Sequence, residues 1–371
     1  MTKKNVGIFV NEMFHYREGI YRLLLNSEIH NINIFTGNKK NTNLPITEIP
    51  EIKCDIFGKT FWYQKGVRKI IKSYNLDIVI IQYTPYMVSS RFLTLFNKSR
   101  DYKIVAWTHG YYRGNREGFK AKTLEKALKR ADGILFFSED MVEIYKEKGF
   151  SKDNMFYTDN TLDTDTIFRI QQELSDTRVD NFRRKYNIRN KKVILFVGRI
   201  IKSKRLKVLL KAMEFLKEKN IEPPFLFIIG DGEQKSFLQH RFMDTLSKYI
   251  SWEGKITNEK ELAPFFTVAD LFVMPGKTGL SINHAFSYGL PYITTNDDIH
   301  APEIILLEAG KNGQYFNGND SLDLAKKINE ILYSHEKLKK YSKNAVNTIK
   351  KRYNVKNMYD NFIRMIEIID D

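Results

Sequence analysis

The chain has 371 residues, 42% of them apolar, and carries 60 lysines and arginines against 44 acids for a formal charge of +16. That length exceeds what one hydrophobic core usually serves and predicts two domains; no run of eighteen uncharged apolar residues occurs, so a membrane-spanning helix is not expected. One cysteine, Cys54, excludes an internal disulfide and a cysteine zinc cluster, and the charge limits partners to polyanions: nucleic acid, an anionic membrane face or phosphorylated substrates. With no Cys/His finger pattern, no RNP-like aromatic signature and no arginine-rich tail, nucleic acid is not expected. The opening MTKKNVGIFVNEMF enters a strand pattern with no signal-peptide cleavage region, which predicts a cytoplasmic protein.

Short apolar, β-branched runs alternate with helical periodicity along the chain. The predicted strands are NVGIFVN, INIFTG, DIVIIQY, KIVAWTH and GILFFS, then VILFVGR, FLFIIGD, ISWEGK, LFVMPG and PYITTN. Between them lie helix-like stretches such as TLEKALKRA, LKVLLKAMEFLKEKN and EKELAPFFTVA, and the C-terminal region reads as helix, break near Tyr353-Asn354, then helix. This is the βα alternation of open parallel sheets, occurring twice, so an α/β fold of two Rossmann-like domains is expected. The charged, aliphatic-poor stretch from Phe168 to Lys192 is taken as the boundary: 1–168, then 169–349, with 350–371 as a final helix. Ligands of such sheets bind beyond the carboxyl ends of the strands, which places the expected site in a cleft between the domains.

Several strand ends carry candidate chemistry. KIVAWT ends in His109-Gly110, followed by Tyr111, Tyr112 and Arg113. VILFVG ends in Gly198, followed by Arg199 and, five residues later, Lys204; a forked guanidinium and a mobile ammonium beyond a glycine turn can neutralise a diphosphate. FLFIIG ends in the turn Gly230-Asp231-Gly232, which reads equally as a plain left-handed turn. Pro275 to Pro291, PGKTGLSINHAFSYGLP, follows the strand ADLFVM and opens a helix. The N–H groups of Gly279, Leu280 and Ser281 lie at that helix start, where a phosphate is favoured, although the glycines also serve to shape the turn and cap the helix.

The order and separations of VILFVGRIIKSK, FLFIIGDGE, ISWEGKITNEKELAPFFTVADLFVMP and GLSINHAFSYGLPYITTN resemble the retaining glycosyltransferases of family four, with their two-Rossmann GT-B architecture. The resemblance covers Lys192 to about Gly313 and continues weakly upstream through Ser138, Asn160, Asp163 and Phe168. It implies that Arg199 and Lys204 grip the donor pyrophosphate and that Leu280 and Ser281 hold the distal phosphate. It further implies that Gly198, Gly230, Asp231 and Ile256 frame the nucleotide, His109 faces the donor sugar, and the last helix crosses back to the N-terminal domain. No metal cofactor is expected, since the cations supply the counter-charge and no Asp-x-Asp motif stands in a suitable loop.

The chain departs from the family where two glutamates eight positions apart are usual: here stand Gly276 and His284. His284 is expected either to hydrogen-bond the ribose or to pack a helix. Gly276 is expected to leave room or a water where an acid would sit, with Lys277 and Thr278 supplying donor-sugar contacts. In the first half, NEMFHYREGIYRLL keeps one glycine of the family's loop, Gly19, and makes His15, Arg17 and Tyr111 candidates for the acceptor or a phosphate. Two basic, aromatic stretches, FWYQKGVRKIIKSYN and YYRGNREGFKAKTLEKALKRA, read either as helix faces or as an anionic-membrane surface. The expectation is a nucleotide-sugar-dependent retaining transferase, peripheral at the inner face of the membrane, acting on a lipid-linked or saccharide acceptor of surface polysaccharide synthesis. The alternatives are a soluble or protein acceptor, or a non-catalytic sugar-nucleotide-binding protein.

Overall fold

The structure is a computed structural model that describes residues 2–39, 42–56, 59–84, 86–96, 101–111, 118–219 and 221–370. It divides into two compact units, Met1–Asp163 with Asn354–Asp371, and Thr164–Tyr353. In chain order the first unit contains β1 (Asn5–Val10), α1 (Glu18–Leu25), β2 (Asn31–Thr36), β3 (Thr47–Glu48), β4 (Glu51–Ile56), β5 (Lys59–Gln64), α2 (Val67–Ser73), β6 (Ile78–Gln82), α3 (Val88–Phe96), β7 (Lys103–Thr108), α4 (Phe119–Leu128), β8 (Gly133–Phe136), α5 (Asp140–Glu147) and β9 (Met155–Tyr157). The second holds α6 (Thr164–Glu173), α7 (Asp176–Lys185), β10 (Val193–Val197), α8 (Leu206–Glu218), β11 (Phe225–Ile229), α9 (Lys235–Leu246), β12 (Ile250–Gly254), α10 (Glu259–Val268), β13 (Leu271–Met274), α11 (Ser281–Ser287), β14 (Tyr292–Thr295), β15 (Gly313–Phe316), α12 (Ser321–Leu332) and α13 (His335–Lys351). The chain then returns to the first unit as α14 (Val355–Asp370).

The first sheet is parallel throughout, in the order β3-β2-β1-β6-β7-β8-β9. Its central strands have no polar face because helices cover both sides. Along β1, Ile8 joins a core with Ile20, Tyr21 and Leu24 of α1 and Met358, Phe362 and Met365 of α14, while Phe9 joins Val67 and Ile71 of α2 on the opposite side. The apolar stripe of the last helix is therefore part of this core. Phe362, fully buried, meets the Trp107 ring edge-on at a centroid distance of 5.3 Å.

Beside this sheet, β4 and β5 form an antiparallel ribbon that the sequence pattern left unassigned. FWYQKGVRKIIKSYN is thus two elements: Phe61–Gln64 ends β5, and α2 starts beyond Gly66, whose φ of 74° turns the chain. Residues 112–117 of the second basic stretch, Tyr112 and Arg113 among them, lie outside the described residues, and the rest of it is mainly α4.

The second sheet is also parallel, in the order β12-β11-β10-β13-β14-β15. The stretch from Phe168 to Lys192 is not an extended tether. It supplies most of α6 and all of α7, and rings of α7 and its end cover the sheet: Phe182 lies 4.8 Å from Phe265, and Tyr186 4.8 Å from Phe227 while donating to Glu253 Oε2 at 2.9 Å. The division between units accordingly falls ahead of it, at Asp163 and Thr164.

Because α14 completes the first core, Phe362→Ala is expected to cost about 3–5 kcal/mol of stability. Urea unfolding followed by tryptophan emission measures this; an unchanged midpoint would show that the returning helix is dispensable.

Candidate functional site

In both sheets the order of strands reverses beside the first strand of the unit, at β1/β6 and at β10/β13. A crevice opens beyond the carboxyl ends of such strand pairs. At β10/β13 the chain leaves β10 through Gly198 and Arg199, and leaves β13 through Pro275 and Gly276.

The glycines there are compelled by backbone packing. A Cβ on Gly230 would lie 1.9 Å from the Gly198 carbonyl oxygen, and one on Gly232 would lie 2.5 Å from that of Ile200; both residues have φ values of +146° and +155°. Asp231 serves the same turn: its Oδ1 accepts from Gly232 N–H at 2.8 Å and its carbonyl accepts from Ile200 N–H at 2.8 Å. Arg199 is exposed. Lys204 ends the short helical turn Lys202–Lys204, partly buried, and its ammonium donates to the Lys277 carbonyl. Burial, together with the Arg199 and Lys277 cations, lowers its pKa to about 8, with Glu303 opposing the shift.

Two expectations for the donor sugar are corrected. Gly276 leaves no room for a ligand, because a Cβ there would sit 2.2 Å from the Ser203 carbonyl oxygen and 2.6 Å from Lys204 C, and Lys277 N–H donates to Ser203 O at 2.9 Å. The Lys202–Lys204 turn fills the space itself. Thr278 is fully buried: its hydroxyl lies 3.0 Å from Thr294 Oγ1 and 3.2 Å from the Tyr292 hydroxyl, and its N–H donates to His300 Nδ1 at 3.0 Å. It faces a hydroxyl cluster under the loop. Of the three, Lys277 alone keeps a partly exposed side chain.

The helix α11 starts at Ser281, preceded by Leu280 in helical conformation, with Gly279 one residue earlier. Ile282 N–H donates to the Gly279 carbonyl at 3.2 Å and His284 N–H to that of Leu280 at 3.0 Å, the N–H groups ahead of them precede the helical ladder, and the Ser281 hydroxyl lies 2.9 Å from that of Tyr292. One turn on, His284 is engaged by a neighbour the sequence did not reveal. Its Nε2 lies 3.0 Å from Glu259 Oε1, its ring stacks on Phe266 at 4.0 Å, and Tyr288 donates to the same Glu259 oxygen at 2.7 Å. Burial pushes the Glu259 carboxyl up, but His284 and Tyr288 outweigh it and hold its pKa below the usual value. Of the two readings of His284, packing is the one with named contacts. Ile256, half-buried, stands beyond the end of β12. A further unforeseen pair, Arg205 and Asp297, ties the end of the Lys202–Lys204 turn to the loop after β14.

In the first unit, His109 follows β7 and its ring stacks on Phe137 at 4.0 Å. Arg17 ends the turn His15–Arg17 ahead of α1 and lies over Trp107 at 4.7 Å and Phe137 at 5.1 Å. The His15 side chain lies outside the described ones. Tyr111 is corrected as an acceptor contact: it is 5% exposed, its hydroxyl donates to Glu125, and its ring stacks on Tyr145 at 4.5 Å. Gly19 is likewise explained from within, since a Cβ there would meet Asp163 Cγ at 2.5 Å.

Two family models match this chain: "Glycosyl transferases group 1" over residues 178–348 and "Glycosyltransferase Family 4" over 30–166. The chain belongs to the family-four glycosyltransferases of the GT-B fold. Each model lies over one of the two α/β sheets. Among curated relatives, spore coat protein SA of Bacillus subtilis is 27% identical over 198 residues, which is 51% of this chain, so the chain spans about half of that relative (52%). Solved structures agree in fold along nearly the whole length. A glycosyltransferase from Rickettsia africae matches with a TM-score of 0.76 at 18% identity, covering 99% of each chain. Anabaena HepE in complex with UDP-glucose gives 0.72 at 14%, covering 98% and 99%. WaaG, a glycosyltransferase involved in lipopolysaccharide biosynthesis, gives 0.67 at 13%, covering 96% and 99%.

The packing at Gly276 generates a direct test within this glycosyltransferase. Gly276→Glu, which restores the family's acid, is expected to drive its side chain into the Ser203–Lys204 backbone and lower the melting temperature by several degrees. A variant that melts like the wild type would mean the turn yields and the site can hold an acid.

Proposed function

We propose that this chain is a retaining transferase that takes a sugar from a nucleotide-diphosphate donor and passes it to a lipid-linked or saccharide acceptor in surface polysaccharide or lipopolysaccharide synthesis. The observation that carries the reading is the gathering of Arg199, Lys204 and Lys277 at a glycine turn ahead of the α11 N-terminus. Burial, with the neighbouring Arg199 and Lys277 cations adding to it, loosens the Lys204 proton to a pKa of about 8. Such a cluster is stabilised by a diphosphate, and donors already fixed around a developing negative charge form the largest catalytic contribution in most enzymes. HepE, of the same fold, holds UDP-glucose, and WaaG acts in lipopolysaccharide synthesis.

In this reading Arg199 and Lys204 hold the pyrophosphate and take up charge as it departs. The Leu280 and Ser281 N–H groups receive the distal phosphate oxygens, Ile256 and the Gly198 and Gly230 turns frame the nucleotide, and His109 faces the sugar. The acceptor hydroxyl attacks on the face the diphosphate leaves, and the leaving phosphate accepts its proton, so no side-chain nucleophile and no metal ion are needed.

Saturation-transfer NMR with UDP-, GDP- and dTDP-sugars identifies the donor, and a transfer assay then tests the machinery. Lys204 is charged below its pKa, so donor affinity should be full below about pH 8 and decline above it. Lys204→Met is expected to abolish that inflection and lower kcat/KM by about 10²–10³-fold, while EDTA leaves the rate unchanged. Loss of activity in EDTA that magnesium restores, or a variant as fast as the wild type, would sink the assignment.

The proposed membrane location is supported by the β4–β5 ribbon. Its register puts Ile52, Cys54 and Ile56 on one face opposite Tyr63, Phe61 and Lys59. Ile52 (46%), Ile56 (45%), Tyr63 (41%) and the adjoining Phe92 (51%) are exposed, and Lys65, Arg68, Lys69 and Lys72, at the end of β5 and on α2, are exposed as well. The stripe is on the order of 400 Å², half of the roughly 800 Å² per partner that a stable protein interface takes, yet exposed apolar side chains next in sequence to a basic helix suit an anionic bilayer surface. Among the described residues no helix is long and apolar enough to cross a membrane. An environment-sensitive dye on Cys54, the single cysteine and an exposed one, should shift to the blue on anionic vesicles and recover at high salt. Vesicle binding without a dye response would place the contact elsewhere.

A further inference from the structure

Three oxygen atoms in the first unit are enclosed and, among the described residues, meet no hydrogen-bond donor: Asn11 Oδ1, Glu51 Oε2 and Gln64 Oε1. They come from one place in the fold. Glu51 opens β4 and Gln64 closes β5, and the two are partners in the antiparallel register, so their side chains share a face at the root of the ribbon. Gln64, 1% exposed, donates through Nε2 to the carbonyl of Val10 at 2.6 Å, where β1 ends. The next residue, Asn11, donates its N–H to Gln82 Oε1 at 3.3 Å, at the end of β6. The Glu51 carboxylate reaches the same strand ends because a glycine follows β2: a Cβ on Gly37 would lie 2.1 Å from Glu51 Oε2 and 3.1 Å from the Asn11 carbonyl oxygen.

The chemistry of this cluster is one-sided, since all three atoms are acceptors. Turning the Gln64 amide over would not help: Nε2 must face the Val10 carbonyl, which also accepts from Gly37 N–H at 3.3 Å. A bridging water has two hydrogens for three acceptors, and its own oxygen would then need donors. The carboxylate adds a charge. Its side chain is 4% exposed, and Lys53, which stands 3.8 Å from its other oxygen, keeps half of its own side chain in water. Burial holds the Glu51 pKa up, with Lys53 opposing the rise and the nearby acid Glu12 adding to it. Such a carboxylate is unfavourable unless a positive charge completes it. A metal ion supplies that charge and takes oxygen ligands without asking for donors. One carboxylate among neutral amide oxygens suits a singly charged ion, because magnesium keeps part of its water shell and calcium gathers more ligands, carboxylates foremost.

We propose that the ends of β1, β2, β4 and β5 hold a sodium or potassium ion, bound by the Asn11 and Gln64 side-chain oxygens and the Glu51 carboxylate, which clips the root of the β4–β5 ribbon to the sheet. The ion takes no part in diphosphate chemistry, and EDTA, which chelates divalent ions, leaves it in place. The inference does not rest on the transferase reading.

Thermal unfolding of the full chain in sodium, potassium or calcium chloride, against tetramethylammonium chloride at matched ionic strength, tests it. An ion bound only by the folded chain raises the midpoint, and tetramethylammonium is too large for the cluster. Wild type should melt several degrees higher in sodium or potassium than in tetramethylammonium, with hydrogen exchange at β4 and β5 slowed alongside. Glu51→Gln removes the charge and brings amide hydrogens to the neighbouring oxygens. It should lose both the cation-dependent rise and the change in exchange, and melt in tetramethylammonium no lower than wild type. Equal wild-type midpoints in the three monovalent salts, a rise confined to calcium, or a Glu51→Gln protein that keeps the rise overturns the proposal. A Glu51→Gln protein that melts well below wild type in tetramethylammonium overturns it too, by making Lys53 the working partner of the carboxylate. No reading involves turnover, so failure here leaves donor binding to be judged by the transfer assay.

Discussion

At the carboxyl edge of the second sheet, backbone lies against backbone in places where not even a methyl group fits. Gly230 abuts Gly198, Gly232 abuts Ile200, and Gly276 abuts the Ser203–Lys204 peptide. Each contact joins a loop after one strand to the loop after its neighbour, so three loops behave as one slab. The arrangement determines what side chains can do there. Lys204 emerges from the turn that fills the space beside Gly276, and its ammonium is pinned to the carbonyl of Lys277. Removing the glycine would shift the lysine with it. The placement of the cations is thus set by peptide packing.

The two units carry charge in contrasting ways. In the second, burial and the nearby Arg199 and Lys277 cations loosen the Lys204 proton, while Arg205 pairs with Asp297 and Glu259 lies against His284 and Tyr288. In the first, Arg17 lies among rings, with its Nη1 enclosed and lacking a hydrogen-bond partner. Both arrangements occur at strand-order reversals. The +16 formal charge of the chain is thus more than a solvated lysine coat.

The parallel strands were legible because each is an apolar run with helices on both faces, as in VILFV and FLFII. The β4–β5 ribbon was not, since EIKCDI mixes charge with isolated aliphatics and has one face in water. Edge strands of two to four residues, β3, β9 and β15, were too short to register as a period. In the site, the cations and the helix start were legible from strand-end spacing. Gly276 was misread, because the backbone that compels it comes from Ser203, 73 positions earlier in sequence. Thr278 and Tyr111 looked available as polar residues beside a motif, yet each is itself buried and its hydroxyl is committed to a side-chain partner. Glu259 gave no signal at all: it reads as an ordinary acid in the first turn of a helix, and only tertiary contact brings it to His284.

The return of α14 to the first unit has a consequence for biosynthesis. Its buried residues Met358, Phe362, Met365 and Ile366 cover a sheet whose last strand ends at Tyr157, and all of Thr164–Tyr353 is translated in between. The second unit is continuous in sequence and can close as soon as it emerges from the ribosome. The first must wait with a bare aromatic and aliphatic flank, Trp107 among it, for the time taken to make some two hundred further residues, on the order of 10–40 s at typical bacterial elongation speeds. A chaperone or a temporarily misplaced segment has that interval in which to occupy the flank, so the order of translation makes the nascent N-terminal half the vulnerable one.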